Sequence, residues 1–281
     1  MACASPHFDV DEGIRFEDGT ARLVAFSQKK TGWVLRGVSD VEVRFFVDGQ
    51  EVARSVTDER GFAKAVTRVP ASEKFAATAS FSNESFRADG RLVAWRSDRV
   101  IVGCDIDSTI SQTDLRALFF GELDLSTPIE GSADALNDLD RDFQILYVTA
   151  RPRFTLPKTT RWLTEHGYPR EPVVTSLTVR DALRQTGYKT RTLDSLRKHY
   201  QNLLIGIGNT AIDADSYSAH GMLALLVQPD REPGREGNVF HFQNWEQVAA
   251  FFRHNAEVLR DPARLRAALA GGEPLLLPDA S

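Results

Sequence analysis

The sequence predicts an α/β unit, a parallel sheet with flanking helices, preceded by a small all-β unit. Three observations predict it. Between residues 100 and 227, five short apolar runs, VIVGCD, FQILYVT, PVVTS, LLIGIG and MLALLV, are continuous rather than alternating, as strands covered on both faces should be. Helix-like stretches separate them, and strand-helix alternation implies a parallel sheet. Before residue 98 the texture is different: DVEVRFFVDGQEVARSVTDERGFAKAVTRVP alternates apolar and polar residues, and no helix-period segment of useful length occurs. A chain of 281 residues exceeds what one core usually serves, so two domains are expected, 1–97 and 98–281.

In the first unit, Asp48-Gly49 between Val-rich runs is a hairpin signal, and Asp58-Glu59-Arg60-Gly61 marks a second turn. FAATASF and GRLVAW add further strands. This spacing suggests a small sandwich of immunoglobulin-like type. In the second unit the helices are expected at SADALNDLDRD, LPKTTRWLTEHG, TLDSLRKHYQN and DADSYSAHG. NWEQVAAFFRHNAEVL follows the last expected strand as an amphipathic helix, and PARLRAALAGG forms a short one.

The formal net charge is −5, which argues against a nucleic-acid binder of the basic-patch kind. Residues 1–99 carry 15 basic and 15 acidic side chains, so the acidic excess lies wholly in the second part. Two cysteines, Cys3 and Cys104, make no disulfide framework; Cys104 reads as a buried free thiol in a reducing compartment. The start, MACASPHFDVDEG, has no signal-peptide pattern, and no apolar run approaches the ~20 residues of a membrane span. The expectation is a cytoplasmic protein.

The chemistry gathers at the strand ends, where ligands bind in such sheets. RVIVGCDIDSTISQTD drives an apolar run straight into Asp105 and Asp107, and buried unpaired carboxylates need compensation. The second run ends in Thr149-Ala150-Arg151-Pro152, the fourth in Gly206-Ile207-Gly208-Asn209 followed by Asp213 and Asp215, and Lys189 precedes the fourth. Together these are the parts of a phosphoryl-transfer site. Mg²⁺ takes one or two carboxylates plus waters and substrate phosphate, and Asp105, Asp213 and the Asp107 carbonyl supply such ligands. Asp105 is then the nucleophile and Asp107 the acid and base. Thr149 offers a hydroxyl and Lys189 a point charge to phosphate oxygens. Arg151 either holds phosphate or caps its loop. Asp215 reads equally as a metal-side carboxylate or a helix residue.

The ordered set, D-x-D-x-T after an apolar strand, then Thr, Lys and Gly-Asn-x-x-x-Asp, resembles the haloacid dehalogenase superfamily over residues 98–252. DIDSTISQTD, YVTARP, TTRWLTEHGYPREPVVTS, GYKTRTLDSL and GIGNTAIDADSY resemble, more closely, the motifs of lipin-type phosphatidate phosphatases. That resemblance implies a Mg²⁺-dependent phosphatase releasing phosphate from phosphatidate. It implies that the first, second and fourth strands are neighbours, that Asn209 joins Asp213 on the metal side, and that Thr109 and Arg151 lie on the substrate side. Ser108 stands where that pattern has glycine, and Thr210 where it commonly has arginine.

The segments Ser108–Arg141 and Thr175–Thr192 are too short for a cap domain, so an open site is expected, suited to a bulky or membrane-held substrate. Leu118-Phe119-Phe120 reads as core packing, with contact to lipid as the alternative; Phe154 beside Arg151 and Arg153 is a second candidate for the mouth. Arg161 and Trp162 read as helix residues. Asp134, Asp138, Asp140 and Asp142 read as a solvated helix face and turn, and the scattered histidines have no ligand spacing. The expected partner is a phosphorylated substrate, a membrane phospholipid by the resemblance, with peripheral membrane contact. A protein partner through the β-unit is a further expectation, and no nucleic acid is expected. Two other functions stay open: a phosphatase for polynucleotide ends or soluble esters, and a phospholipid- or protein-binding module with a weak catalytic site.

Overall fold

The computed structural model describes residues 5–31, 34–112, 126–176 and 185–278. The chain divides into two compact units, Met1–Ser97 and Asp98–Ser281.

The first unit is all-β among its described residues: β1 (Ser5–Val10), β2 (Gly13–Phe16), β3 (Thr20–Thr31), β4 (Val34–Gly37), β5 (Glu42–Val47), β6 (Gln50–Val56), β7 (Phe62–Arg68), β8 (Lys74–Phe81) and β9 (Glu84–Trp95). The long strand β3 pairs antiparallel with β1, β2, β4 and β7. β9 pairs antiparallel with β8 and parallel with β2, and β5 lies between β6 and β8. The alternation read in the sequence is the inward face: Val43, Phe45 and Val47 join Leu23, Ala77 and Leu92 in one core. Asp48 (φ 50°) and Gly49 (φ 79°) form the β5–β6 turn, the positive-φ pair that twists as the strands do.

The second unit holds a seven-stranded sheet ordered β12-β11-β10-β13-β14-β16-β15. Its strands are β10 (Ile101–Cys104), β11 (Gln144–Pro152), β12 (Val173–Ser176), β13 (Leu203–Gly208), β14 (Leu223–Val227), β15 (Gly234–Glu236) and β16 (Val239–Phe242). All neighbours are parallel except β15 against β16. The helices are α1 (Ser132–Asp140), α2 (Leu156–Glu165), α3 (Gln185–His199), α4 (Ala211–Ser218), α5 (Trp245–His254), α6 (Ala256–Leu259) and α7 (Pro262–Leu269). Every residue of β10, β11, β13 and β14 is buried, which is why these runs carry no polar alternation.

Two features differ from the sequence expectation. VFHF adds a sixth parallel strand, β16, with the short β15 beside it; four residues give too little pattern to separate a strand from a loop. The helix expected at 244–259 is interrupted at Asn255, whose side chain bonds Phe251 O and Leu276 instead of solvent. No described helix is long and apolar enough to cross a membrane.

Candidate functional site

The sheet order places β10 between β11 and β13, so the loops after these three parallel strands open at one edge. Asp105 continues the ladder, its N–H donating to Ile207 O at 2.9 Å. The chain then wraps around Ile106 O, which accepts from Ile110 and Ser111 N–H at 3.0 and 3.1 Å. Trp245 pins this loop from α5 through a buried Nε1–H bond to Thr109 O, 2.9 Å. Ser108 sits in the left-handed region at φ 57°, which costs a non-glycine residue ~1 kcal/mol. Ser108→Gly is therefore expected to stabilise by about 0.5 kcal/mol after glycine's own unfolded-state entropy is counted; the urea midpoint would show it.

Two clusters meet at this edge. In the first, the Lys189 ammonium lies 3.0 Å from Asp105 Oδ2 and also bonds Asp213 Oδ1. The Thr109 hydroxyl is 3.5 Å from Asp105 Oδ2 and 3.3 Å from Asn209 Oδ1. Asp213 also starts α4: its Oδ2 accepts from the N–H of Asn209 and Thr210 and from the Thr210 hydroxyl, at 3.1, 3.0 and 2.8 Å. Thr210 Oγ1 accepts in return from Asp213 N–H, completing a capping box. Gly208 makes this possible, since a Cβ there would come within 2.5 Å of the Asp213 carboxyl carbon.

In the second cluster, Arg151 clamps Asp107. Its Nε is 3.0 and 3.1 Å from the two carboxylate oxygens and its Nη2 is 2.8 Å from Oδ1. Thr149 donates to Asp107 Oδ2 at 3.2 Å, and the third guanidinium nitrogen, Nη1, donates to Thr159 at 3.2 Å. Arg151 is fully buried.

Three carboxylates thus share two cations. Burial pushes the Asp105 carboxyl up to about 7; Lys189 pulls it back, and Asp213 and Asp107 push it further. Burial alone would lower Lys189, but Asp105 and Asp213 outweigh it and hold the ammonium above the ordinary lysine range. The sign for stability follows. Folded Asp105 binds its proton more tightly than the unfolded chain, so its contribution is most favourable below the unfolded value of 3.8 and is lost as pH rises to about 7. In chelator-containing buffer, unfolding free energy is expected to fall by a few kcal/mol over that window, at about 1.4 kcal/mol for each pH unit crossed; a flat profile that Asp105→Asn leaves unchanged would exclude this account.

The structure brings together Asp105, Asp107, Thr109, Thr149, Arg151, Lys189, Asn209 and Asp213. It gives Thr149 and Arg151 a nearer partner than the expected phosphate, namely Asp107. It does not add Asp215, which is exposed on α4. Arg151 and Arg153 are buried rather than displayed at a mouth. Trp162 is buried in α2 as expected, and the acidic run lies on α1 and the turn after it, with Asp134 and Asp138 exposed. Leu118–Phe120, and parts of both segments read for a cap, lie outside the described residues. Cys104 is a buried free thiol.

The sequence assigns no role to three supporting residues: Thr159, which opens the TTRWL stretch, and Trp245 and Gln228, which lie outside every motif. Gln228 donates to Asn209 O at 3.0 Å and pairs with His241 Nδ1 at 2.9 Å. Its signal is positional, as the first polar residue after the run LALLV.

Residues 102–225 match the family model of the LNS2 domain of PITM 1-3, less than half of the chain. No curated protein matches in sequence. Among solved structures, a haloacid dehalogenase-like family hydrolase from Xanthomonas campestris is 14% identical over 60% of this chain and 99% of its own, with a TM-score of 0.39. The core domain of a putative phosphoglycolate phosphatase from Streptococcus pneumoniae is 16% identical over 55% and 96%, TM-score 0.35. The M1 domain from titin is 10% identical over 32% and 94%, TM-score 0.24. Across most of its α/β unit, the chain is therefore similar to an LNS2 domain.

Proposed function

We propose that the second unit is a Mg²⁺-dependent phosphomonoester hydrolase that works through an aspartyl-phosphate and acts on an anionic phospholipid such as phosphatidate. One observation carries the reading: carboxylate oxygens of Asp105 and Asp213 converge on a single cation, the Lys189 ammonium, beside a third carboxylate at Asp107. The LNS2 match and the lipin-like wording of the motifs support the phosphatase and lipid parts.

The donor set fits Mg²⁺. All candidate ligands are hard oxygens, two carboxylates already face one point, and the buried cluster has one more negative side chain than positive. No three His, Cys, Asp or Glu side chains are placed to hold a metal ion together among the described residues, so the Asp107 carbonyl and Asn209 amide oxygen would complete the set with water. When bound, the ion supplies charge neutralisation between carboxylate and phosphate.

Asp105 Oδ attacks phosphorus and the bond to the leaving-group oxygen breaks, leaving phosphate on Asp105. Asp107, which takes up a proton from solvent once Arg151 turns from it to the substrate, gives that proton to the departing alkoxide, then takes one from the water that attacks phosphorus and frees Asp105. Thr149 and Arg151, which hold Asp107 in the absence of substrate, turn toward the phosphoryl oxygens as it binds. Lys189 balances charge on the transferring group.

The test is phosphate release from phosphatidate vesicles and from soluble esters, with Mg²⁺ and with chelator. Mg²⁺-dependent release from phosphatidate supports the reading; turnover of soluble esters alone removes the lipid part. The bidentate hold of Arg151 on Asp107 favours a second reading, a phospholipid binder with a weak site, and vesicle binding with no turnover in any metal would establish it. The first unit we read as an immunoglobulin-like sandwich, supported by β1 pairing antiparallel with β3 while β2 runs parallel to β9. Peripheral membrane contact and a cytoplasmic location belong to the same proposal.

A further inference from the structure

Of the fourteen Lys and Arg residues in 1–97, five are ion-paired and nine, among them Arg15, Lys29, Lys30, Arg36 and Lys74, form no ion pair among the described residues. Arg44, Arg54, Arg87, Arg91 and Arg96 each lie within 4 Å of a carboxylate. Arg22, Arg60, Lys64 and Arg68 form no ion pair among the described residues, and they cluster on β3, β7 and the turn between Asp58 and Gly61. The ladder register sets Thr20 against Arg68, Arg22 against Val66 and Val24 against Lys64. Ala21, Leu23, Ala25 and Ala63 enter the core from these strands, so Arg22, Lys64, Val66 and Arg68 stand on the opposite face.

Diagonal neighbours on one sheet face lie ~7–8 Å apart, near enough for like charges to repel. Burial and Arg22 push the Lys64 ammonium down. Asp58 and Asp11 pull it back up only in part. Asp58 is turned to the N–H groups of Arg60 and Phe62, each 2.9 Å away, and Asp18 to Thr20. Lys64 and Arg60 both rest on the Phe62 ring, 5.0 and 5.5 Å from its centroid. Val66 is 61% exposed in the middle of the group.

We propose that this face of β3 and β7 docks the protein on an anionic phospholipid bilayer, with Arg22, Arg60, Lys64 and Arg68 meeting headgroups and Val66 entering the interface. Val24 and Phe26, on the same side of β3 as Arg22, are buried, which leaves Val66 as the exposed apolar residue among the cations; basic groups around an exposed valine fit a surface that offers phosphate outside and hydrocarbon beneath. A duplex nucleic acid matches the cations but not the exposed valine. The proposal goes beyond the catalytic reading, which concerns the other unit.

The test is co-sedimentation of the full chain with phosphatidylcholine vesicles, without and with about 30 mol % phosphatidylserine. Binding is expected only to the anionic vesicles, lost near 0.5 M salt as screening shortens to about 4–5 Å. The triple variant Arg22→Glu/Lys64→Glu/Arg68→Glu is expected to bind at least about a hundredfold more weakly, and Lys64→Gln/Arg68→Gln about tenfold. Thermal unfolding and turnover of a soluble ester should match wild type, and Asp105→Asn should still bind, which separates docking from catalysis. Equal binding to both vesicles, variants that bind like wild type, or preference for a DNA duplex over anionic vesicles would overturn the proposal.

Discussion

Asp105→Asn is expected to abolish phosphate release and, in chelator at pH 8, to raise the unfolding midpoint. The loss of activity should exceed about a thousandfold, since the amide cannot form the covalent intermediate and, among the described residues, no other carboxylate is bonded to Lys189 except Asp213. The gain in stability has a separate cause. Arg151 with Asp107 and Lys189 with Asp213 are balanced pairs, and Asp105 is the carboxylate left over, which burial raises to about 7. Asparagine has nearly the same shape without the charge, so removing it is expected to stabilise by about 2 kcal/mol, or roughly 5 °C for a domain of this size. Saturating Mg²⁺ should stabilise wild type and reverse the order. A variant that keeps turnover, or that melts below wild type in chelator, would contradict the assignment.

Lys189→Met is expected to have the opposite effect on stability. The side chain is 6% exposed and is the one cation seen between Asp105 and Asp213 among the described residues. Without it two buried carboxylates face each other, and removing one partner of a buried ion pair costs about 3–5 kcal/mol. Methionine keeps the stem's packing, so the loss reports charge rather than cavity. Millimolar Mg²⁺ should restore much of the midpoint but not the activity, whose kcat should stay at least about a hundredfold down. If the ion gives no recovery, the two oxygens are not a cation site and the metal assignment fails.

Much of the architecture is legible in the residues. Four of the five runs, β10, β11, β13 and β14, announce their burial because strands covered on both faces have no solvent side to mark with polar residues. The change at residue 98 coincides with the division between units. The site is legible because the sheet order converts three distant sequence positions into neighbours: D-x-D, Thr and Asn stand at the ends of those strands, Asp213 opens the helix after the third, and Lys189 comes from α3. What escaped is pairing. Composition cannot show that the Arg151 guanidinium spends three contacts on Asp107, because its partner is 44 residues away in sequence. Gln228 was invisible for a related reason: its acceptor is a backbone carbonyl, which every residue has. β16 escaped because VFHF is too short to hold a period.

The capping box on α4 limits how this scaffold can be retuned. The side chain at position 213 both opens a helix and faces the ion site, so exchanging it for a longer acid would detach the helix start along with the ligand. An engineer seeking altered cation preference would meet fewer penalties at Asn209, whose amide oxygen has only the Thr109 hydroxyl as a described partner.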